Sequence, residues 1–174
     1  MAQESDGGAV SSTVLAPGKA AVALLLMVLI FGVYIAGALA LGFSASYAGF
    51  VFLTYWAGFR NTENSEFVPG LVGSLGALAT CWLLQILPEN MGAAGYAPPM
   101  ALILFAIFCL MCGWLPILFN MGFMLMLTVG SIAPLSATHP FFDMAACTVL
   151  GAAYFGGIKL AVQGYSRRRV TPAP

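Results

Sequence analysis

The sequence predicts an all-α, polytopic membrane helix bundle with six transmembrane segments. Of its 174 residues, 61% are hydrophobic and only 7% are charged. No Lys, Arg, Asp or Glu occurs in the 53 residues between Glu89 and Asp143. As a helix this run would be about 80 Å long, whereas the hydrocarbon core of a bilayer is about 30 Å thick. A chain of this length has no core large enough to bury such a run, so we expect it to cross a membrane twice.

The other uncharged runs supply the remaining crossings. The run that ends at Arg60 is long enough for two, and the run after Glu66 for one. The run after Asp143 gives the last crossing and is interrupted only by Lys159. The second and fifth segments are about fifteen residues long, against the roughly twenty that cross a bilayer, so we expect them to be buried, broken or re-entrant. The predicted segments are Ala20–Leu41, Ala45–Phe59, Phe67–Leu87, Pro98–Leu118, Met121–Leu135 and Phe142–Tyr165.

An even number of crossings places both chain ends on the same side of the membrane. Lys19, Arg60 and the arginines at 167–169 then share that side, whereas the opposite loops carry Glu89 and Asp143 without any Lys or Arg. This charge distribution predicts that both termini are cytoplasmic. We predict a disordered cytoplasmic tail at 1–18, a single transmembrane domain at 19–166 and a basic cytoplasmic tail at 167–174.

The order of segments suggests an internal repeat. Three segments precede the Pro88–Pro98 connection and three follow it, and each half runs long, short, then glycine-rich. The short segments contain the similar stretches Gly49–Thr54 and Gly122–Thr128. Halves that each cross three times have opposite orientations, an arrangement common in transporters. A 3+3 inverted repeat is therefore one reading, and shared membrane-helix composition is the other.

Small residues at helical spacing predict close helix packing. Gly70, Gly73 and Ala77 fall on one face of the third segment, and Ala153 and Gly157 lie four apart in the sixth. Such faces let helix backbones approach closely inside a membrane. We expect them to pack within the chain, and any face left over would bind a second copy or a partner in a membrane complex.

The short segments and their ends also hold the candidate pore residues. A pore for a small neutral solute needs a few hydrogen-bonding groups in an apolar passage, with aromatic rings setting its width. Hydrogen bonding between helices is an equally good explanation of the polar members. Acidic residues at the membrane depth expected for ion coupling are missing from the sequence, which favours passive transport. The candidates are Thr54, Tyr55, Trp56, Asn120, Thr128 and Ser131.

Three ionisable residues form a candidate polar site. His139 and Asp143 are four apart and could bind a metal or relay protons, but no further ligand stands near them, so we predict no metal. We expect Asp143 to cap the sixth segment instead. Lys159 lies about five residues from the cytoplasmic end, so its side chain is expected to reach the headgroups, with contact to a substrate or anion as the alternative.

The pair Cys109 and Cys112 has the spacing of a thiol redox motif. Redox cysteines need an exposed position that favours the thiolate. The pair is predicted to lie mid-segment in apolar surroundings, which favours plain packing. The sequence contains no nucleotide loop, catalytic triad or metal-ligand cluster, so we predict a non-enzyme without cofactors. Zero net charge argues against nucleic acid as a partner.

Four short motifs stand out along the chain: Tyr47-Ala-Gly-Phe50, Leu110-Met-Cys112, the segment at 121–131 and the glycine-aromatic stretch 151–156. Together they resemble a bacterial inner-membrane family, the domain of unknown function numbered ten ninety-seven, which implies a location in the bacterial inner membrane. The resemblance covers Ser44 to Val162 and implies a small multi-span bacterial membrane protein, without an activity to carry over. The charged loop from Arg60 to Glu66 departs from the family pattern.

The function predicted from the sequence is a channel or transport protein for a small neutral or weakly polar solute. Its partners would be the lipid bilayer, the solute and a further copy of the chain or a membrane complex. A structural subunit of a larger membrane complex is the alternative, and a membrane thiol redox protein is the third reading.

Overall fold

A computed structural model describes residues 17–60, 62–132 and 140–170. All regular secondary structure in these ranges is helical. A π-helical segment, Thr54–Phe59, continues the second helix, and 3₁₀ turns occupy Asn64–Glu66 and Gly92–Tyr96. The α-helices are α1 (Pro17–Ala40), α2 (Tyr47–Leu53), α3 (Phe67–Met91), α4 (Ala97–Cys112), α5 (Met121–Gly130) and α6 (Phe141–Val170).

Three helical stretches are long and apolar enough to cross a membrane: Gly18–Ala40, Asn64–Cys112 and Phe141–Tyr165. The middle stretch joins α3 and α4 through a tight connection. Gly92 has a φ of 63°, and a Cβ on Gly95 would lie 2.3 Å from the carbonyl oxygen of Leu87. The chain therefore needs glycine at both positions to fold α4 back against α3.

The chain divides into two units, one ending at Val33 and one beginning at Tyr34. The first contains the beginning of α1, an apolar helix. The second contains α2 to α6 and all the side-chain contacts described below. Its core is built from large side chains that are fully buried, namely Tyr34, Phe52, Tyr55, Phe123, Met126 and Met144.

Helix α4 ends six residues before the predicted end of its segment, Leu118. Gly113 adopts the left-handed conformation with a φ of 66°, and its N–H bonds back to Leu110, which closes the helix. Leu115 also has a positive φ, of 51°, and Pro116 has no N–H to continue a helix. The helix of the fourth predicted segment therefore ends before Pro116.

The second unit is organised around two pairs of parallel helices. In the first pair, Ala45 bonds to Asp143 where α2 and α6 begin, and Trp56 lies beside Lys159 further along. In the second pair, Asn120 at the start of α5 bonds to Pro69 at the start of α3. Each pair joins a short helix of one half of the chain to a long helix of the other.

Close packing occurs at some of the predicted small residues. Gly70, Gly73 and Ala77 are buried in α3. Ala153 and Gly157 are exposed on α6, and a Cβ on Gly157 would meet nothing within 4 Å. The tight contact of α6 lies instead at Gly151, whose Cβ would be 2.7 Å from the Cα of Gly49 in α2.

Candidate functional site

The π-helical segment turns two neighbouring aromatic side chains into the protein. Tyr55 and Trp56 are both buried, and both form hydrogen bonds with residues just before α3. The Tyr55 hydroxyl donates to Oε2 of Glu66 at 2.9 Å, and Nε1 of Trp56 donates to the carbonyl of Glu63 at 2.8 Å. π-Helical turns are rare and are frequent at functional sites.

Glycines in α3 make room for the polar side chains of the site. A Cβ on Gly70 would lie 2.4 Å from Cε1 of Tyr55, inside the aromatic ring's own space. A Cβ on Gly73 would lie 2.6 Å from Oδ1 of Asn120. The glycine face of α3 therefore receives one side chain from the π-helical segment and one from the start of α5.

Asn120 connects α5 to α3 through its side-chain amide. Its Nδ2 donates to the carbonyl oxygens of Pro69 at 2.8 Å and Pro116 at 3.1 Å, and its Oδ1 accepts from the N–H of Phe123 at 3.1 Å. The side chain is 6% exposed. Because the amide is committed to the backbone, Asn120 positions the two helices around the site.

A cavity of about 540 Å³ opens beside this cluster, where α3 and α5 begin and α4 ends. Its wall is mainly apolar, with Arg60 and Glu66 at one edge and Asn120 at another. Nε of Arg60 lies 3.5 Å from Oε2 of Glu66, and their side chains are 45% and 24% exposed. The apolar wall consists of Pro69, Leu110, Pro116, Ile117, Phe119 and Met121.

The Arg60 guanidinium keeps its positive charge under physiological conditions. The neighbouring Tyr55 hydroxyl, followed by Glu66, raises the pKa of the Arg60 guanidinium above its already high ordinary value. Arg60 and Glu66 are the formally charged members of the cavity lining, and their charges cancel. The cavity therefore offers polar groups without a net charge.

Three predicted pore residues lie elsewhere. Thr54, Thr128 and Ser131 are exposed, and each hydroxyl donates to a carbonyl of its own helix or helix end. The acceptors of Thr54 and Thr128 are the carbonyls of Phe50 and Met124, both at 2.8 Å. The structure thus brings Asn120 to the cavity and Tyr55 to its Glu66 edge, whereas Trp56 lines a second, smaller cavity and the small hydroxyls lie on outward faces.

Asp143 lies in the first turn of α6, where a carboxylate is favoured, and it also holds the chain that leads into α2. Its Oδ2 accepts from the N–H groups of Ser44 at 2.9 Å and Ala45 at 3.1 Å, and from the Ser44 hydroxyl at 2.8 Å. These donors precede Ser46, the residue before α2, so the carboxylate joins the start of α6 to the entry of α2. His139, its predicted partner, lies outside the described residues.

Lys159 is held by the segment between the π-helix and α3. Its Nζ donates to the carbonyl of Thr62 and to Oδ1 of Asn64, and it lies 5.0 Å from the ring centroid of Trp56. With Trp56, Asn64 and Phe67 it lines a smaller cavity of about 160 Å³. The side chain is therefore engaged by protein, in contrast to the headgroup contact expected from the sequence.

The cysteine pair lies at a helix end, and the expectation of a mid-helix position was wrong. Cys109 is fully buried in α4, whereas Cys112 is the last residue of that helix and is exposed. The pair occupies the C-terminus of α4, whereas catalytic cysteine pairs are typical of helix N-termini. Within residues 17–60, 62–132 and 140–170, no three His, Cys, Asp or Glu side chains are grouped to hold a metal ion.

The sequence did not identify the two charged residues at the edge of the cavity. Arg60 and Glu66 were visible as a charged loop and as topology markers, but nothing in the sequence indicated that Tyr55 would bond to Glu66. The hydrogen bonds of Tyr34 to the carbonyls of Ser46 and Cys147 were equally hidden, because the partners are distant along the chain.

Comparison with known proteins adds no identification. No family model, curated protein or solved structure matches the chain.

Proposed function

We propose that the protein is a channel or transport protein of a bacterial inner membrane, which passes a small neutral or weakly polar solute. The observation that carries the proposal is the cavity of about 540 Å³ between the beginnings of α3 and α5. Its apolar wall and its compensated Arg60–Glu66 pair suit a solute of that kind. In the proposed topology the cavity opens toward the cytoplasm.

The packing of the helices supports six crossings and a 3+3 inverted repeat. Exchanging the two halves of the chain converts the pair α2–α6 into the pair α5–α3, and both pairs are parallel. Thr54 and Thr128 then become equivalent, and each donates to the carbonyl four residues earlier. Transporters with inverted repeats build their sites where the halves meet, from short or interrupted segments.

Two contacts between distant parts of the chain support cytoplasmic termini. Lys159 bonds to the Thr62 carbonyl near Arg60, and Asp143 bonds to Ser44 at the other end of α2. Each contact joins a loop to a position in α6 near the end that the six-crossing model assigns to the same side. The basic residues then stay together on the inner side, as the positive-inside rule requires.

Flux into proteoliposomes tests the proposal. We expect the purified protein to speed the re-swelling of vesicles in small neutral solutes such as acetamide and glycerol, measured by light scattering against protein-free vesicles. Equal rates for every solute tested would count against transport.

Cys112 offers a way to link flux to the cavity. It lies between Leu110 and Gly113, which line the cavity, and it is the exposed cysteine of the four. Alkylation with a bulky maleimide should lower flux toward the protein-free value, whereas a Cys112→Ser protein should keep full flux and resist the reagent. Unchanged flux after alkylation of the wild-type protein would show that the solute does not pass through this cavity.

A second candidate function is a non-transport subunit of a membrane complex. It is favoured by the outward face of α6, where Ala153 and Gly157 are exposed and a Cβ on Gly157 would meet open space. Native purification separates the candidates, because a stoichiometric heterologous partner supports the subunit and a homomer supports the transport protein. Membership of the family of unknown function named above stays a proposal.

A further inference from the structure

The cavity presents hydrogen-bond donors and acceptors at one edge of an apolar wall. A guanidinium has five N–H donors, and a carboxylate has two acceptor oxygens with about four lone-pair sites. In Glu66, Oε2 accepts from Tyr55 and lies near Arg60, which leaves acceptor capacity on the carboxylate. Asn120 adds little, because its amide is occupied by backbone groups.

The geometry of the pair leaves room for a ligand between its groups. The Nε to Oε2 distance of 3.5 Å is longer than that of a good charge-assisted hydrogen bond. Both side chains are partly exposed to the cavity mouth. A bound group can therefore accept from the guanidinium and donate to the carboxylate without first breaking a tight ion pair.

The apolar wall disfavours ions. A charged solute that leaves water loses its hydration, and Leu110, Pro116 and Ile117 offer no replacement. Each charge of the pair is already compensated by the other, so neither sign of solute gains a free counter-charge. A neutral polar group has the smaller desolvation cost.

We propose that this cavity binds neutral solutes whose polar end both accepts and donates hydrogen bonds, with a primary carboxamide as the best-matched chemistry. The carbonyl oxygen of the amide accepts from Arg60, its NH₂ group donates to Glu66, and the apolar part of the solute contacts Leu110 and Ile117. The inference rests on the transport function proposed above, and it names the solute class of that site.

Binding to the whole protein in lipid nanodiscs tests the inference without any transport. Saturation-transfer NMR compares three probes of similar size: propionamide, propionate and propylammonium. We expect propionamide to bind roughly tenfold more tightly than either ion, since each ion can use only one partner of the pair. Equal binding of the three probes, or no binding of propionamide, would overturn the inference.

Charge-removing variants give the sharper readout. Glu66→Gln leaves Arg60 uncompensated, so propionate binding should rise and propionamide binding should fall, each by several-fold to about tenfold. Arg60→Gln should instead favour propylammonium. Selectivity that stays unchanged in both variants contradicts the proposed contacts.

The control is Glu89→Gln, which removes an exposed carboxylate at the other end of α3. Its probe selectivity should match that of the wild-type protein. If Glu66→Gln fails to fold, Arg60→Gln alone still decides the matter, because Arg60 is nearly half exposed and follows the π-helical segment.

The two proposals can fail separately. Binding of propionamide without any flux would contradict the proposed transport function but not the proposed binding site. Flux of neutral solutes without propionamide binding would contradict the binding site but not the transport function.

Discussion

Asp143 is the side chain on which the contact between α2 and α6 most depends. It is 9% exposed, and one of its oxygens accepts three hydrogen bonds from Ser44 and Ala45. The N–H of Ala45 is buried, whereas Ser44 is exposed. Without the carboxylate, the buried Ala45 N–H would lose its charged acceptor.

Replacing Asp143 with Ala should lower the free energy of unfolding by about 3 kcal/mol, because a buried donor loses a charged acceptor. Unfolding in mixed micelles, followed by circular dichroism, measures the loss. Asp143→Asn keeps an acceptor oxygen and should cost about half as much. Wild-type stability in the Ala variant would show that this contact contributes nothing.

Part of the site can be predicted from single residues. Tyr55, Trp56 and Asn120 stand out as polar or aromatic residues in or beside short apolar segments, and all three are buried near the cavity. Which polar groups are free for a solute cannot be predicted, because that depends on hydrogen bonds between distant residues. The Asn120 amide donates a hydrogen bond to the carbonyl of Pro69, 51 residues away. The amide is therefore not available to bind a solute.

The helices were largely predictable where charge and length define them. The starts of α3 at Phe67 and α5 at Met121 agree with the predicted segments. The early end of α4 at Cys112 and the π-helical register of Thr54–Phe59 were missed. Both depend on local backbone conformation, and hydrophobic composition carries no signal for it.

The crossing of α2 and α6 should be sensitive to one methyl group. Gly151→Ala would place its Cβ 2.7 Å from the backbone of Gly49, which no side-chain rotation can relieve. We expect a loss of about 2 kcal/mol in unfolding free energy, measured as above.

Gly157→Ala is the matched control on the same helix. Its new Cβ meets nothing within 4 Å, so stability should be unchanged or should rise by up to about 1 kcal/mol from better helix propensity. Equal effects of the two substitutions would argue against the close contact at Gly151.

Over residues 17–60, 62–132 and 140–170 the protein is all-helical, with three helices long and apolar enough to span a membrane. That much follows from its long uncharged runs. The number of crossings does not follow from helix length, since α2 and α5 are too short as α-helices to span a bilayer alone. Six crossings therefore stay a prediction.

Accessibility labelling tests the six-crossing topology. In a variant without its native cysteines, Ala94→Cys should react with an impermeant maleimide in spheroplasts, because the Gly92–Tyr96 turn is assigned outside. The control Asn64→Cys should react only after lysis. Labelling of both positions from the outside, or reporters at the two termini that indicate opposite compartments, would rule out the model.

The bond between Asp143 and the start of α2 also constrains how the protein is made. The donor and acceptor residues are 98 and 99 apart along the chain. At about 5–20 residues per second, a ribosome needs roughly 5–20 s to synthesise the missing partner. During that time the nascent α2 has neither the Asp143 contact nor the surface of α6. Packing of α2 in its final place therefore follows translation of the C-terminal half.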